Sequence, residues 1–136
     1  MSATVPPFAD TNVLLYLLSV DAAKADRAEA LMAQRLTISV QVLNEFAHVA
    51  RRKLALGWDE IVRLLADVQD CATVLPLTLE THHKALQLAE RHQMPLYDAL
   101  IAASALLAGC KLLYSEDMHH GLCIERSLKI RNPFLA

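Results

Sequence analysis

The segment FADTNVLL, residues 8–15, decides the fold class predicted for this chain. A short apolar run ends at Asp10, and an apolar-periodic helix then begins with Thr11 or Asn12 near its cap. Two prolines directly before the segment restrict the backbone, so we expect the first strand to be short or irregular. The segment therefore predicts a strand that passes directly into a helix.

The same alternation of short strands and longer helices continues along the chain. Helices are predicted over residues 11–18, 22–34, 40–56 (ending at Gly57), 59–68, 78–92 and 96–107, and strands over residues 36–39, 73–75, 111–114 and, in the tail, 128–130. Short apolar strands separated by helices are typical of a parallel sheet with helices on both faces. Because no repeat, low-complexity stretch or linker interrupts the 136 residues, we expect one domain over residues 1–136.

The composition favours a compact protein with apolar surface to spare. Hydrophobic residues make up 54% of the chain and charged residues 21%, which argues against disorder. We therefore expect a partner or a homodimer to cover part of the surface. The formal net charge of −2 lacks the overall basic character of a nucleic-acid binder, so a polyanion would need a local basic patch.

The cysteines and the N-terminus predict a cytoplasmic protein with no membrane association. Three cysteines without C-x-x-C spacing argue against a disulfide framework and a structural zinc site, and they fit a reducing compartment. The N-terminus lacks the basic region of a signal peptide, and apolar runs such as residues 13–18 are too short to cross a bilayer. Cys110 ends an apolar segment, so we expect it to be buried.

Four acidic residues stand in or beside apolar segments: Asp10, Glu45, Asp98 and Asp117. Asp10 and Asp117 each follow a predicted strand, Asp98 lies in the first turn of a helix, and Glu45 lies one to two turns into another. In an open parallel sheet the functional site lies outside the carboxyl ends of the strands. A single rim of the sheet could therefore hold all four acids.

Each acid taken singly has an ordinary explanation, as a helix cap, a helix-dipole partner, an exposed helix residue or a turn residue. Gathered together the acids would repel, because two carboxylates about 5 Å apart cost roughly 3 kcal/mol at an effective dielectric of 20. No Lys or Arg lies within several residues of Asp10 or Asp98, so protons or bound cations must compensate them. An all-oxygen cluster selects Mg²⁺ or Mn²⁺ over zinc and usually serves phosphoryl chemistry.

The acids and their neighbours form an ordered set of motifs. These are DTNVL at residues 10–14, Glu45, DAxIAA at residues 98–103 and SEDMxxG at residues 115–121. In order and spacing the set closely resembles the PIN-domain ribonucleases, above all the toxin subunits of VapBC-type toxin–antitoxin pairs. The resemblance covers nearly the whole chain.

The resemblance implies a three-layer α/β/α sandwich around a short, mainly parallel sheet. It implies that Asp10, Glu45, Asp98 and Asp117 form the catalytic quartet, with Asp10 and Asp98 as the firmest metal ligands. Asp117 and Glu45 would complete the site directly or through water, around Mg²⁺ or Mn²⁺. Such proteins cleave single-stranded regions of RNA, are commonly homodimers and are silenced by a cognate antitoxin protein.

Three polar residues match positions near the site in the same family: Thr11, Asn12 and Ser115. They would orient water at the metal, although a capping role explains them equally well. Glu116 stands beside Asp117, which leaves open which of the two carboxylates is the ligand.

A basic run follows Glu45 on the same predicted helix and consists of Arg51, Arg52 and Lys53. It is expected to guide the phosphate backbone of RNA past the acidic pocket, while the plain alternative is a solvated face. The basic residues of the tail, near position 129, are a second candidate patch with the same alternative.

Two other functions remain open from the sequence. A phosphatase of the haloacid dehalogenase type also places an Asp after its first strand, but it needs a second Asp two residues on, where this chain has Asn12. A PIN-like module kept only for protein interaction would have the same fold and would bind no metal.

Overall fold

The computed structural model of the chain describes residues 4–135. Within that range the strands and α-helices, in chain order, are β1 (Phe8–Ala9), α1 (Thr11–Leu15), α2 (Ala22–Ala33), β2 (Leu36–Ser39), α3 (Val40–Arg52), α4 (Trp58–Cys71), β3 (Ala72–Leu75), α5 (Leu79–His92), α6 (Leu96–Leu107), β4 (Leu112–Tyr114), β5 (Cys123–Ile124) and β6 (Leu128–Arg131).

The strands form one sheet in the order β3-β2-β1-β4-β6-β5. Each neighbouring pair is parallel except β5 with β6, which is antiparallel. Strand β1 lies between β2 and β4, with Phe8 opposite Thr37 on one side and Leu113 on the other. The predicted α/β three-layer sandwich with a short, mainly parallel sheet is confirmed.

The sheet order reverses direction between β1 and β4. The chain leaves β1 towards β2 and β3, and it returns on the opposite side of β1 as β4. Such a switch point opens a crevice at the carboxyl ends of the two strands, and that crevice is where α/β sheets bind ligands. The topology therefore places the end of the opening segment, residues 8–15, at the start of a site.

Among the described helices, α6 contributes the most buried residues to the core, as its apolar sequence predicts. Its buried residues are mostly alanines, which allow close packing against β2 and β4. The helix begins directly after Pro95, its N-cap residue. Proline suits a helix start because the first N–H groups of a helix have no partner within it, so the missing N–H costs nothing. The helix ends before Gly109, whose φ of +81° is left-handed and easy for glycine. This fixed start determines where Asp98 stands.

Two predicted helices end earlier in the structure. The helix predicted over residues 11–18 is α-helical only to Leu15, and a 3₁₀ turn, Tyr16–Leu18, follows. Helix α3 ends at Arg52 rather than at residue 56, and Ala55 adopts a φ of +52° where the chain turns. Gly57 is not the end of α3 but the N-cap of α4, so its predicted role was wrong.

Other differences lie at element ends and in the C-terminal hairpin. Helix α4 is longer at both ends than the predicted residues 59–68. Strand β5 was not predicted, because it has two residues and its turn to β6 carries no glycine or asparagine. Glu125 and Arg126 form that turn with φ of +50° and +61°, conformations rare for such residues.

The three cysteines are free, and Cys110 is buried as predicted. Across residues 4–135, none of the helices combines the length and the apolar character that crossing a membrane requires.

Candidate active site

Asp10 and Ser115 stand side by side at the carboxyl ends of β1 and β4. The backbone N–H of Asp10 donates to the Tyr114 carbonyl at 2.9 Å, which extends the parallel ladder to the last residue before α1. The Ser115 hydroxyl donates to Asp10 Oδ2 at 2.9 Å and accepts from the Met118 N–H at 3.2 Å. Two segments far apart in sequence therefore share one carboxylate.

Asp10 is almost fully enclosed, with 5% of its surface exposed. Its Oδ1 accepts from the Thr11 N–H at 2.7 Å, so it caps α1, as the ordinary explanation of this residue requires. No basic side chain compensates it: the ion pairs found within residues 4–135 are Lys24–Glu116 and Lys84–Glu125. A buried carboxylate is thus held by neutral donors alone.

Burial raises the pKa of Asp10 to about 6. Hydrogen bonds from Ser115 and Thr11 oppose the rise, and the negative charges of Glu45 and Asp98 add to it. Because a pKa of this size leaves Asp10 ionised at neutral pH, the folded protein carries an unfavourable charge there. A cation would relieve it.

Asn12 links two of the predicted ligands. Its Nδ2 donates to Asp10 Oδ2 at 3.3 Å and to Asp117 Oδ2 at 3.2 Å. Its Oδ1 accepts from the Glu116 N–H at 3.1 Å, which sets the orientation of the amide. Asn12 therefore holds the β4 loop, and Asp117 with it, against the end of β1.

Glu45 reaches the same place from α3. Its Oε2 accepts from the Thr11 hydroxyl at 3.0 Å and its Oε1 from Gln41 Nε2 at 2.7 Å. Gln41 lies one helical turn before Glu45 and was not predicted, because nothing in its local sequence distinguishes it from a solvated glutamine.

Asp98 completes the group from the first turn of α6. The pKa of Asp98 is raised, mainly because the carboxyl group is partly buried and further because of the negative charges of Asp117 and Glu45. Asp98 and Asp10 also repel each other, since the charge of Asp98 raises the pKa of Asp10. The structure thus brings all four acids into one electrostatic group at the switch point.

The chemistry of this donor set fits a hard divalent cation. The ligating atoms on offer are carboxylate oxygens, one of them buried, and two of the acids have raised pKa values. Within residues 4–135, however, no three Asp, Glu, His or Cys side chains lie close enough together to hold an ion. Thr11, Asn12, Ser115 and Gln41 occupy several of the oxygens instead.

Glu116 points away from the four acids. Its carboxylate pairs with Lys24 Nζ at 3.0 Å and accepts from the Tyr16 hydroxyl. Although partial burial acts to raise it, the pKa of Glu116 is lowered by the hydrogen bonds from Tyr16 and Lys24. Asp117, bound to Asn12, is therefore the better candidate ligand of the two. Lys24 and Tyr16 were missed, because their partner lies about a hundred residues away.

The three residues of the basic run, Arg51, Arg52 and Lys53, have different surroundings. Arg51 donates to the Leu56 carbonyl at 3.1 Å and lies 5.2 Å from the centre of the Trp58 ring, so it closes the turn after α3. Lys53 lines a cavity of about 300 Å³ that also contains Asn12. Arg52 is exposed, seven residues after Glu45 and hence on the same helical face.

The comparisons with known proteins agree with this fold. A family model described as the PIN domain matches residues 8–120. A toxin–antitoxin complex from Klebsiella pneumoniae has a similar chain with a TM-score of 0.72 and 19% identity, covering 94% of this chain and 98% of that one. The Mycobacterium tuberculosis toxin VapC20, described as cleaving the sarcin–ricin loop, has a TM-score of 0.66 and 22% identity, covering 81% and 88%.

A third solved structure, FitAcB from Neisseria gonorrhoeae, has a TM-score of 0.67 and 17% identity, covering 93% of this chain and 97% of that one. No protein of curated function matches significantly by sequence. At these identities the solved structures share the fold, whereas the family model covers most of the chain, including all four acids. The resemblance predicted from those motifs is confirmed, and this chain belongs to the PIN-domain family.

Proposed function

We propose that this protein is a metal-dependent endoribonuclease that cleaves single-stranded regions of RNA and acts as the toxin of a type II toxin–antitoxin pair. The observation that carries the proposal is the buried carboxyl group of Asp10, which is grouped with Glu45, Asp98 and Asp117 and forms no ion pair with a basic side chain among residues 4–135. The PIN-domain match and the toxins among the similar structures support it.

Asp10, Asp98 and Asp117 would hold Mg²⁺ or Mn²⁺, with Glu45 directly or through water. The bound cation would neutralise charge on the phosphodiester and increase the acidity of a water molecule. The residues of the chain position the carboxylates: Ser115 and the Thr11 N–H fix Asp10, and Asn12 fixes Asp117. Thr11 also holds Glu45 through its hydroxyl.

RNA must approach a group of like charges, so basic residues nearby are needed to hold its backbone. Lys53 and Arg52 suit that role, because one shares a cavity with Asn12 and the other is exposed on the Glu45 face. Arg51 is the least suited of the three, since its guanidinium is engaged by the Leu56 carbonyl and the Trp58 ring.

Proposed partners are a cognate antitoxin and a second copy of this chain in a cytoplasmic homodimer. Large exposed apolar side chains support a protein partner, among them Trp58 with 59% and Val62 with 65% of their surfaces exposed. One of the similar structures is described as a toxin–antitoxin complex, which supports an antitoxin as one partner.

The decisive experiment is cleavage of a labelled, unstructured RNA with MnCl₂, with MgCl₂ and with EDTA. Cleavage should require a divalent ion, and Asp98→Asn should abolish it. Asp59→Asn is the matched control, because Asp59 lies in the first turn of α4 just as Asp98 does in α6. Wild-type cleavage by Asp98→Asn, or equal cleavage in EDTA, would refute the proposal.

One observation favours a second candidate, a PIN-like module without catalysis. The four acids do not converge to ligand distance within residues 4–135. Titration with Mn²⁺ followed by calorimetry separates the two: saturable binding near neutral pH supports the nuclease, and no binding supports the silent module. Expression in a bacterial host gives an independent test, since only an active toxin should arrest growth, and Asp98→Asn should relieve the arrest.

A further inference from the structure

A cavity of about 540 Å³ lies beside Glu45, between α3 and the start of α6. Its lining consists of Gln41, Asn44, Glu45, His48, Val49 and Tyr97. Glu45 belongs both to this cavity and to the acidic group, and Tyr97 immediately precedes Asp98. The cavity therefore shares Glu45 with the proposed cleavage site, and its volume lies in the range of small-molecule pockets.

Tyr97 presents an aromatic ring to this cavity. Tyr97 is 65% exposed and stands at the exposed start of α6, whereas residues 101–105 of the same helix are buried. The first turn of α6 holds Asp98 at the site, so the ring is carried by a rigid element of the core rather than by a loop. An aromatic face that stands beside a phosphodiester site suits stacking by an unpaired base.

The opposite wall offers hydrogen-bonding groups along one face of α3. Gln41, Asn44 and His48 recur at spacings of three and four residues, which places them on one side of a helix. Asn44 and His48 are exposed, while Gln41 is held by Glu45. Amide and imidazole groups can donate to and accept from the edge of an unstacked base.

The charge distribution selects a base rather than the phosphate backbone for this cavity. Glu45 contributes a carboxylate to the lining, and a carboxylate repels phosphate. The nearest exposed cation on this face of α3 is Arg52, one turn beyond His48 and outside the cavity. A backbone held along Arg52 would leave its neutral base free to turn inward.

We propose that this cavity binds one unpaired nucleobase of the RNA next to the scissile phosphate, with Tyr97 as the stacking platform and Asn44 and His48 reading its edge. The inference rests on the proposed ribonuclease function and names where that site recognises its substrate. Asn44 and His48 would then determine which base is preferred, whereas Tyr97 would stack on any base.

The test compares Tyr97→Ala with Tyr97→Phe, which keeps the ring and loses only the hydroxyl. Single-base stacking is worth about 1–3 kcal/mol, so Tyr97→Ala should lower kcat/KM on single-stranded RNA by roughly 5- to 150-fold. Tyr97→Phe should stay close to wild type. Leu79→Ala is the matched control, because Leu79 is 71% exposed at the start of α5 and lies outside this cavity.

Equilibrium binding separates this inference from the proposed function. The Asp10→Asn protein, which should not cut RNA, is titrated into an oligoribonucleotide that carries the fluorescent base 2-aminopurine. Stacking should quench the fluorescence, Tyr97→Ala in the same background should abolish the quench, and Tyr97→Phe should retain it. The slope of log affinity against log salt should not change, since stacking neutralises no phosphate.

Three outcomes would overturn the inference. The first is a quench and an affinity that Tyr97→Ala leaves unchanged. The second is an unchanged kcat/KM in a wild-type protein that does cleave RNA. The third is a Tyr97→Ala protein whose sedimentation shows a lost dimer while its RNA affinity is intact, which would make the cavity a protein interface. If no RNA is cut at all, the proposed function fails and the quench still decides whether a base binds here.

Discussion

Replacing Asp10 by asparagine should stabilise the metal-free protein at neutral pH. The pKa of Asp10 rises from 3.8 to about 6 on folding, mainly because the carboxylate is buried. A rise of two units corresponds to about 3 kcal/mol of stability lost when the carboxylate ionises, at about 1.4 kcal/mol per unit. Asparagine removes that charge and keeps the shape.

Part of this gain is offset by hydrogen bonding. An asparagine Oδ1 at position 10 can still accept from the Thr11 N–H, and the Ser115 hydroxyl can rotate to accept from the new Nδ2 instead of donating. The Nδ2 would, however, face the Nδ2 of Asn12, and two donors cannot bond to each other. Asn12 cannot turn over, because its Oδ1 accepts from the Glu116 N–H. One lost hydrogen bond costs about 1 kcal/mol, so the net stabilisation expected for Asp10→Asn is about 2 kcal/mol.

The pH dependence has a definite sign. Between pH 3.8 and about 6 the folded protein holds the Asp10 proton and the unfolded chain has released it, so the stability contributed by this group falls as pH rises. Above that window the loss is complete. The advantage of Asp10→Asn should therefore be present at pH 7.5 and absent at pH 4, where the wild-type carboxyl is protonated.

Urea unfolding in EDTA, at pH 4 and at pH 7.5, measures both quantities. Asp67→Asn is the control, because Asp67 is exposed on α4 and its substitution should change the free energy of unfolding by less than about 0.5 kcal/mol. A destabilised Asp10→Asn protein at pH 7.5, or a difference from wild type that is the same at both pH values, would contradict the reasoning.

Three further predictions follow from the same contacts. MnCl₂ at pH 7.5 should raise the midpoint of urea unfolding of the wild-type protein and leave that of Asp10→Asn unchanged. An equal rise in both proteins would show that the ion binds elsewhere. Lys24→Met should weaken Mn²⁺ binding measured by calorimetry, because Lys24 holds Glu116 and with it the loop that carries Asp117. Lys84→Met, which breaks the ion pair with Glu125, should leave Mn²⁺ binding unchanged. Charge reversal at Lys53 should reduce the salt dependence of RNA binding by about one phosphate contact, and charge reversal at Arg51 should reduce it less. Equal slopes for the two variants would contradict the different roles assigned to Lys53 and Arg51.

Much of the fold was predictable because its signals are local. Apolar runs of four residues or fewer predict the parallel strands, and the longer segments of helical periodicity between them predict the helices. The positions of the acids relative to these runs predict which strand ends carry them. The errors lie where tertiary contacts override local preference. Gly57 reads as a helix end from sequence, yet it caps α4, and the hairpin before β6 turns on two residues that carry no turn signal.

The candidate site was predictable in its members and not in its connections. The motif order singles out four acids, because a carboxylate in an apolar context is costly wherever it occurs. It does not reveal that Asn12 links Asp10 to Asp117, that Gln41 holds Glu45, or that Glu116 pairs with Lys24. Those contacts join residues up to about a hundred positions apart.

By itself, the sequence determined the layers of the fold and singled out the acids that are candidates for the site, since side-chain types and hydrophobic periodicity are properties of neighbouring residues. Only the tertiary structure decided which donors each oxygen of Asp10 accepts from, which of Glu116 and Asp117 is paired with a lysine instead of Asn12, and that Tyr97 borders a cavity shared with Glu45. Hydrogen bonds act over about 3 Å and burial depends on every element packed around a residue. Neither quantity exists until the distant segments of the chain have met.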